Sequence, residues 1–202
     1  MKVKYFVIPG GSPPFRGSAN ATGYDVHVRA VVSTEFDPTE IYKRKIIYDL
    51  RSEPNNEEIK KLVIFQDGQY KYLLQPGESV NIGLGLVFGM KPGCSAVIMR
   101  RSSTGLADIA FADLFSNEPE TPKTIIEMLG GIPIDSDFRG EPISRLHNLG
   151  KVFYPIWHGK RIVQIVFLNK KGIFHPRFER VEKISDLGFT KRKNHCHGST
   201  GL

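Results

Sequence analysis

The chain has 202 residues, 40% of them hydrophobic, with two cysteines and a formal net charge of +7. That length suits a single domain with a real core. No apolar run reaches membrane-spanning length, and Cys94 and Cys196 alone give no disulfide framework. The opening run MKVKYFVIPGG is too short and too strand-like for a signal peptide, so a soluble, intracellular protein with no membrane partner is expected, in cytoplasm or nucleus.

Taken in chain order, the sequence is mostly short alternating runs separated by Gly, Pro and Asn. This spacing predicts strands over 3–8, 24–30, 45–50, 62–66, 70–74, 79–88, 96–101, 143–148, 151–156 and 161–168. Asp67-Gly68, between two of them, is a hairpin turn signal. A turn or two of helix is expected over 55–61. Residues 106–115 are apolar enough for a helix, although Asp108 and Asp113 interrupt the pattern. The clearest helix signal lies at 121–129: Thr121 can cap, Pro122 suits the first helical position, Ile125, Ile126 and Leu129 make an apolar stripe, and Gly130-Gly131 ends it. Many strands and few helices predict an all-β antiparallel barrel or sandwich.

The basic balance suits nucleic acid or a phosphorylated small molecule. No nucleic-acid module is recognisable and the positive residues share no long face, so nucleic acid is not the expected partner. The densest run, Lys191, Arg192 and Lys193 with His195 and His197, reads by itself as a solvated tail. Gly83-Leu84-Gly85-Leu86-Val87-Phe88-Gly89 lacks the glycine spacing of a dinucleotide fingerprint and reads as a bulged strand. Arg101-Ser102-Ser103-Thr104-Gly105 offers a guanidinium, hydroxyls and backbone N–H groups that could converge on phosphate, or simply cap a helix. His195-Cys196-His197 has no matching Cys/His pair elsewhere, and adjacent residues do not readily share one ion. The stretch GIPIDSDFRGEP, 131–142, reads either as a surface turn rich in Asp and Gly or as a carboxylate held at the end of a buried strand.

Order adds what each motif lacks. Ala21-Thr22-Gly23-Tyr24-Asp25-Val26, Arg101-Ser102-Ser103, Ile134-Asp135-Ser136-Asp137-Phe138-Arg139-Gly140, Gly159-Lys160-Arg161-Ile162-Val163-Gln164, and Arg192 with Gly198-Ser199-Thr200-Gly201 follow one another. In that order they resemble the five motifs of the homotrimeric deoxyuridine triphosphatase (dUTPase) family. The likeness runs from about residue 21 to the C-terminus, with inserts at roughly 33–74 and 107–129 and a C-terminal arm at 190–202.

The resemblance implies a single dUTPase-like domain over 1–202, a β-barrel or jelly-roll (β-clip) subunit with one or two short helices. It also implies a homotrimer with active sites between subunits, and hydrolysis of dUTP to dUMP and pyrophosphate with Mg²⁺. Asp135 resembles the carboxylate that orients and deprotonates the attacking water, and Asp25 the acidic residue that supports the site and its ion. Arg101, Ser102, Ser103, Gln164, Arg192, Ser199 and Thr200 match phosphate-contacting positions. Gly131, Ile132 and Ile134 match the base-reading hairpin, Phe138 the ring packed on deoxyribose, and His197 the arm residue that covers the base. Asp137 reads as structural, and Arg139-Gly140 as the close of the turn.

Two positions depart from the family pattern. His197 stands where the arm usually carries phenylalanine, and Ile132-Pro133 where a glycine usually lies three residues before the aspartate. These departures keep two alternatives open: a pyrophosphatase of another pyrimidine deoxynucleotide, and a catalytically weak dUTPase-like binding protein whose inserts engage a partner. The related dCTP deaminases need a glutamate on the strand after the third motif. Here Ile143-Ser144-Arg145-Leu146 puts Arg145 there, which argues against deamination.

Overall fold

The structure, a computed structural model, describes residues 1–101, 126–128 and 132–192. Among the described residues the strands are β1 (Lys2–Val7), β2 (Tyr24–His27), β3 (Ala30–Phe36), β4 (Arg44–Tyr48), β5 (Val63–Gln66), β6 (Gln69–Leu74), β7 (Ser79–Gly83) and β8 (Leu86–Gly89). They continue as β9 (Cys94–Arg100), β10 (Ile126–Met128), β11 (Ile132–Asp135), β12 (Ile143–Asn148), β13 (Tyr154–Trp157), β14 (Arg161–Asn169), β15 (Gly172–Phe174) and β16 (Arg177–Val181). One short helix, α1 (Glu57–Lys60), is capped by Asn56, whose side chain accepts from the Glu58 N–H at 2.8 Å, and a 3-10 turn covers Ile184–Leu187. Among the described residues no helix is long and apolar enough to cross a membrane.

The all-β expectation holds, in a jelly-roll-like arrangement. The strands pair into four sheets, in the orders β16-β1-β8, β10-β12-β7-β3-β4, β11-β9-β14-β15 with β2 also on β14, and β13-β6-β5. No closed barrel is assembled among the described residues. All the strand pairs are antiparallel except β1 with β16. Alternation along each strand sends one face inward. On β9 the buried positions are Cys94, Ala96 and Ile98, and on β14 they include Ile165 and Phe167. These pack with Val26, Ile82, Leu84, Phe88 and Leu146 into one large cluster. Phe167 sits edge-on to Phe88 at 5.6 Å between ring centroids, a favoured aromatic geometry.

Three expectations need correction. The strand over 24–30 is broken at Val28-Arg29, where the Val28 N–H bonds to Lys160 O and the Arg29 N–H to Gly83 O, so the chain leaves β14 for β7. The strand over 79–88 is split at Gly85, which has φ +65° and lies so close to Gly11 that a Cβ on Gly11 would sit 2.2 Å from Gly85 O. The helix over 121–129 is absent where it can be seen. Ile126–Met128 is a strand on the open edge of β12, in register Ile126 with Asn148 and Met128 with Leu146. A β-branched residue beside an unpaired edge satisfies its backbone there as well as in a helix. The rest of that segment, and the helix expected at 106–115, lie outside the described residues.

The Asp67-Gly68 turn appears as expected, with φ of 56° and 75°, joining β5 and β6. Strands β15 and β16 and the length of β3 were not anticipated. Residues 33–74 are woven into the sheets: they supply the end of β3, all of β4 at a sheet edge, and the β5–β6 hairpin that pairs with β13.

Candidate active site

Alternation on β2 decides the first half of the site. Tyr24 and Val26 point into the core, so Asp25 and His27 face the other way. Asp25 lies opposite Gln164 on β14, which lies opposite Met99 on β9. Arg101 follows β9 directly. The Asp25 carboxylate, 13% exposed, accepts from Arg101 Nε at 2.7 Å and from Arg161 Nη1 at 3.2 Å. Arg101 Nη1 also donates to Arg161 O at 3.1 Å. Two guanidiniums thus share one carboxylate, leaving an excess of positive charge at a sheet edge, which is what a polyphosphate needs.

Gln164 donates from Nε2 to Arg100 O at 3.2 Å, at the base of this cluster. Gly23 makes room for it: a Cβ there would lie 2.4 Å from Gln164 Oε1. On the same face as Asp25, burial pushes the His27 imidazole below its ordinary value, with the nearby Arg161 charge adding to the effect. Its Nδ1 is buried with no hydrogen-bond partner among the described residues.

The second half of the site sits at the end of β11. Ile134 is buried at 3% exposure opposite Ala96, so its side chain belongs to the core and only its backbone faces outward. Asp135, opposite Ser95, is exposed. Arg192 forms an ion pair with Asp135 and lies 3.4 Å from Asp137 Oδ1, and the Asp135 carboxylate holds the guanidinium above its ordinary value. Thr190 Oγ1 donates to Asp137 O at 2.6 Å. The turn after Asp135 closes as the Arg139-Gly140 reading expected: Arg139 Nη1 donates to Ser136 O at 2.7 Å and Phe138 O at 3.0 Å. Phe138 is 7% exposed and leans on the core.

The two halves are far apart in one chain. From Asp135 to Asp25 the register runs from Ser95 to Met99 along β9 and crosses from β11 through β9 and β14 to β2. At strand spacings of about 3.4 and 4.8 Å, that is a separation of about 20 Å. Asp25, Arg101 and Gln164 are brought together; Asp135 and Arg192 are brought together elsewhere. Ile132 pairs with Ile98. Ser102, Ser103, Gly131, His197, Ser199 and Thr200 lie outside the described residues. Arg161 was not singled out from the sequence. Its signal was its place in the Gly159–Gln164 stretch, but its partnership with Asp25 depends on a register shift between Arg161 and Val163 that no motif discloses.

Among the described residues no three His, Cys, Asp or Glu side chains converge as a metal cage. A magnesium ion brought in by phosphate oxygens needs none: Mg²⁺ keeps several waters and takes one or two carboxylates. Both Asp25 oxygens are taken by guanidiniums, Oδ1 by Arg101 and Oδ2 by Arg161, so Asp25 could support such an ion only indirectly.

No family model matches the chain. It is 33% identical over 139 residues to a deoxyuridine 5'-triphosphate nucleotidohydrolase of Thermoanaerobacter sp. (strain X514), an alignment covering 69% of this chain and 80% of that one. With the enzyme of the same name from Fowlpox virus (strain NVSL) it shares 30% over 133 residues, 66% of this chain and 78% of the other. Among solved structures, a mutant dUTPase of Staphylococcus aureus phage phi11, described with a structural Mg(II) ion, superposes with a TM-score of 0.50 at 13% identity, covering 92% of this chain and 99% of that one. The last likeness speaks for the fold alone. The aligned identity to the two named relatives, over more than two thirds of each, carries the assignment: the chain belongs to the deoxyuridine triphosphatase family.

Proposed function

We propose that this chain is a nucleotide diphosphatase that hydrolyses dUTP to dUMP and pyrophosphate. The observation that carries the reading is the Asp25–Arg101–Arg161 cluster with Gln164 at its base, a donor-rich edge suited to a triphosphate. Water adds across the bond between the α- and β-phosphates, that P–O bond breaks, and the proton lost by water passes to Asp135. The negative charge on the phosphates must be offset before a nucleophile can approach, and Arg101 and Arg161 supply fixed positive charge for this. Mg²⁺ bound with the nucleotide would supply further neutralisation at the phosphates, and Asp25 would support it indirectly.

Gln164 orients the phosphate chain, joined by Ser102 and Ser103 after Arg101. Arg192, Ser199 and Thr200 belong to an arm over 190–202 that closes over the nucleotide and excludes water. The base and sugar meet the backbone of Gly131, Ile132 and Ile134, the ring of Phe138, and His197. The whole chain acts as one domain, with residues 33–74 and 107–129 as inserts, inside the cell where its nucleotide is made.

A general base must lie within hydrogen-bonding reach of its water. Asp135 and the arginine cluster, about 20 Å apart in one chain, cannot serve one triphosphate together. This separation supports a homotrimer in which each site takes Arg101 from one subunit and Asp135 from another.

The test is pyrophosphate release from dUTP, dCTP, dTTP and UTP in separate samples with Mg²⁺. Turnover of dUTP and not UTP is expected, and Asp135→Ala abolishes it. Turnover of a different deoxynucleotide moves the specificity but keeps the mechanism. No turnover of any refutes the enzyme reading in favour of a binding protein on this fold.

A further inference from the structure

The first hairpin of the residues read as an insert, β3 with β4, is locked to the loop that follows Asp135. The Glu141 N–H donates to Tyr42 O at 2.8 Å, the Arg44 N–H donates to Glu141 Oε2 at 2.9 Å, and Arg44 Nε donates to Glu141 O at 3.1 Å. Under this clamp lies Phe36, the last residue of β3. Its ring is tilted 52° to that of Phe138, with centroids 6.4 Å apart. It also fills the space beside Gly140, where a Cβ would fall 2.6 Å from Phe36 Cζ. The Arg44 guanidinium, on a side chain 1% exposed, lies 3.7 Å over the Phe36 ring and fixes it. Arg44, Phe36 and Phe138 therefore form one packed series, running from the buried clamp to the ring beside Asp135.

We propose that Phe36, held by Arg44, is a positioning residue that sets the sugar specificity of the nucleotide site. The inference rests on the reading that Phe138 meets the deoxyribose. Phe138 is 7% exposed, so the room it leaves for a 2′-hydroxyl depends on whether the ring can recede. Phe36 stands behind it and prevents that. A largely apolar surface rejects an added hydroxyl by only about a hundredfold, and only if it does not yield. A softer backing gives that discrimination away while leaving Asp135 and the phosphate cluster untouched.

The experiment measures kcat/KM for dUTP and UTP in the full chain, in Phe36→Leu and in Phe36→Met, with thermal denaturation of each. Met refills most of the ring's volume and keeps a folded comparison if Leu does not fold. The expected result is a fall of about tenfold in the dUTP-to-UTP ratio for Phe36→Leu, through gained UTP turnover, with partial recovery in Phe36→Met. A lower melting temperature with an unchanged ratio overturns the inference, because a purely structural role predicts that. An equal loss toward both nucleotides overturns it too. Absence of dUTP turnover in the unaltered chain refutes the enzyme reading itself, and the inference falls with it.

Discussion

Glu141 is fully buried, and its carboxylate accepts four hydrogen bonds: Arg29 Nε at 2.8 Å, Arg29 Nη2 at 2.7 Å, the Gly85 N–H at 2.8 Å and the Arg44 N–H at 2.9 Å. Glu141→Gln keeps the shape, removes the charge and turns an NH₂ group toward donors. Arg29, 2% exposed, is left charged without its counter-ion. Breaking a buried pair this way costs about 3–5 kcal/mol. For a chain of this size each kcal/mol lowers Tm by about 2–4 °C, so a fall of about 6–20 °C is expected. Urea unfolding followed through the single tryptophan, Trp157, reads the change as a lower midpoint at unchanged slope. Protein concentration is held fixed, because any self-association would raise apparent stability. Glu57→Gln, which breaks only the exposed pair with Lys60, is the control and should cost less than about 1 kcal/mol. A Glu141→Gln loss no larger than the control's would refute the reasoning, since it would mean that water reaches Arg29.

Gly23→Ala should leave Tm nearly unchanged but push the Gln164 amide from Arg100 O, raising KM for dUTP about tenfold, the weight of one hydrogen bond to a charged group; an unchanged KM removes Gln164 from the phosphate contacts. The Asp37 carboxyl is held down to about 2 by the Thr39 hydroxyl, with the Thr39 and Glu40 N–H groups adding to it. Its folded value lies below the ordinary 3.8, so the stability it contributes is present above pH 3.8 and is lost as pH falls from there through about 2. Thr39→Val should move the carbon-13 NMR titration of Asp37 upward and narrow that window; an unmoved midpoint would show that the hydroxyl is not the cause. His197→Phe should tighten dUTP binding by about threefold to tenfold, because a phenyl ring stacks on a base better than imidazole does; an equal or weaker affinity would show that the ring at 197 does not stack on the base.

Much of this was legible in the chain itself. The strand expected over 143–148 matches the bounds of β12. Ile143 and Leu146, three residues apart, are buried on opposite faces and in separate clusters, so this strand is covered on both sides. The ordered motifs picked out Asp25, Arg101 and Gln164, and β2, β14 and β9 bring them together. The error at 121–129 has a physical source. Ile125, Ile126 and Leu129 satisfy a helical spacing, but the unpaired edge of β12 is a tertiary fact that no local pattern carries. The Arg161 contact was hidden for a similar reason: a bulge in β14 moves the side chain over Asp25. Phe36 and Arg44 looked like insert residues because their partners, Phe138 and Glu141, lie about a hundred positions away.

The distance between the two half-sites has a genetic consequence. If Arg101 and Asp135 of one chain never serve the same nucleotide, their lesions can complement. Arg101→Ala and Asp135→Ala chains are each inactive alone, yet random co-assembly leaves about one site in four with both groups intact. A chain carrying both lesions spoils two sites at once and is dominant over its neighbours. Recovery of about a quarter of the activity on co-expression would make turnover a property of the assembly, while no recovery would return both groups to a single chain.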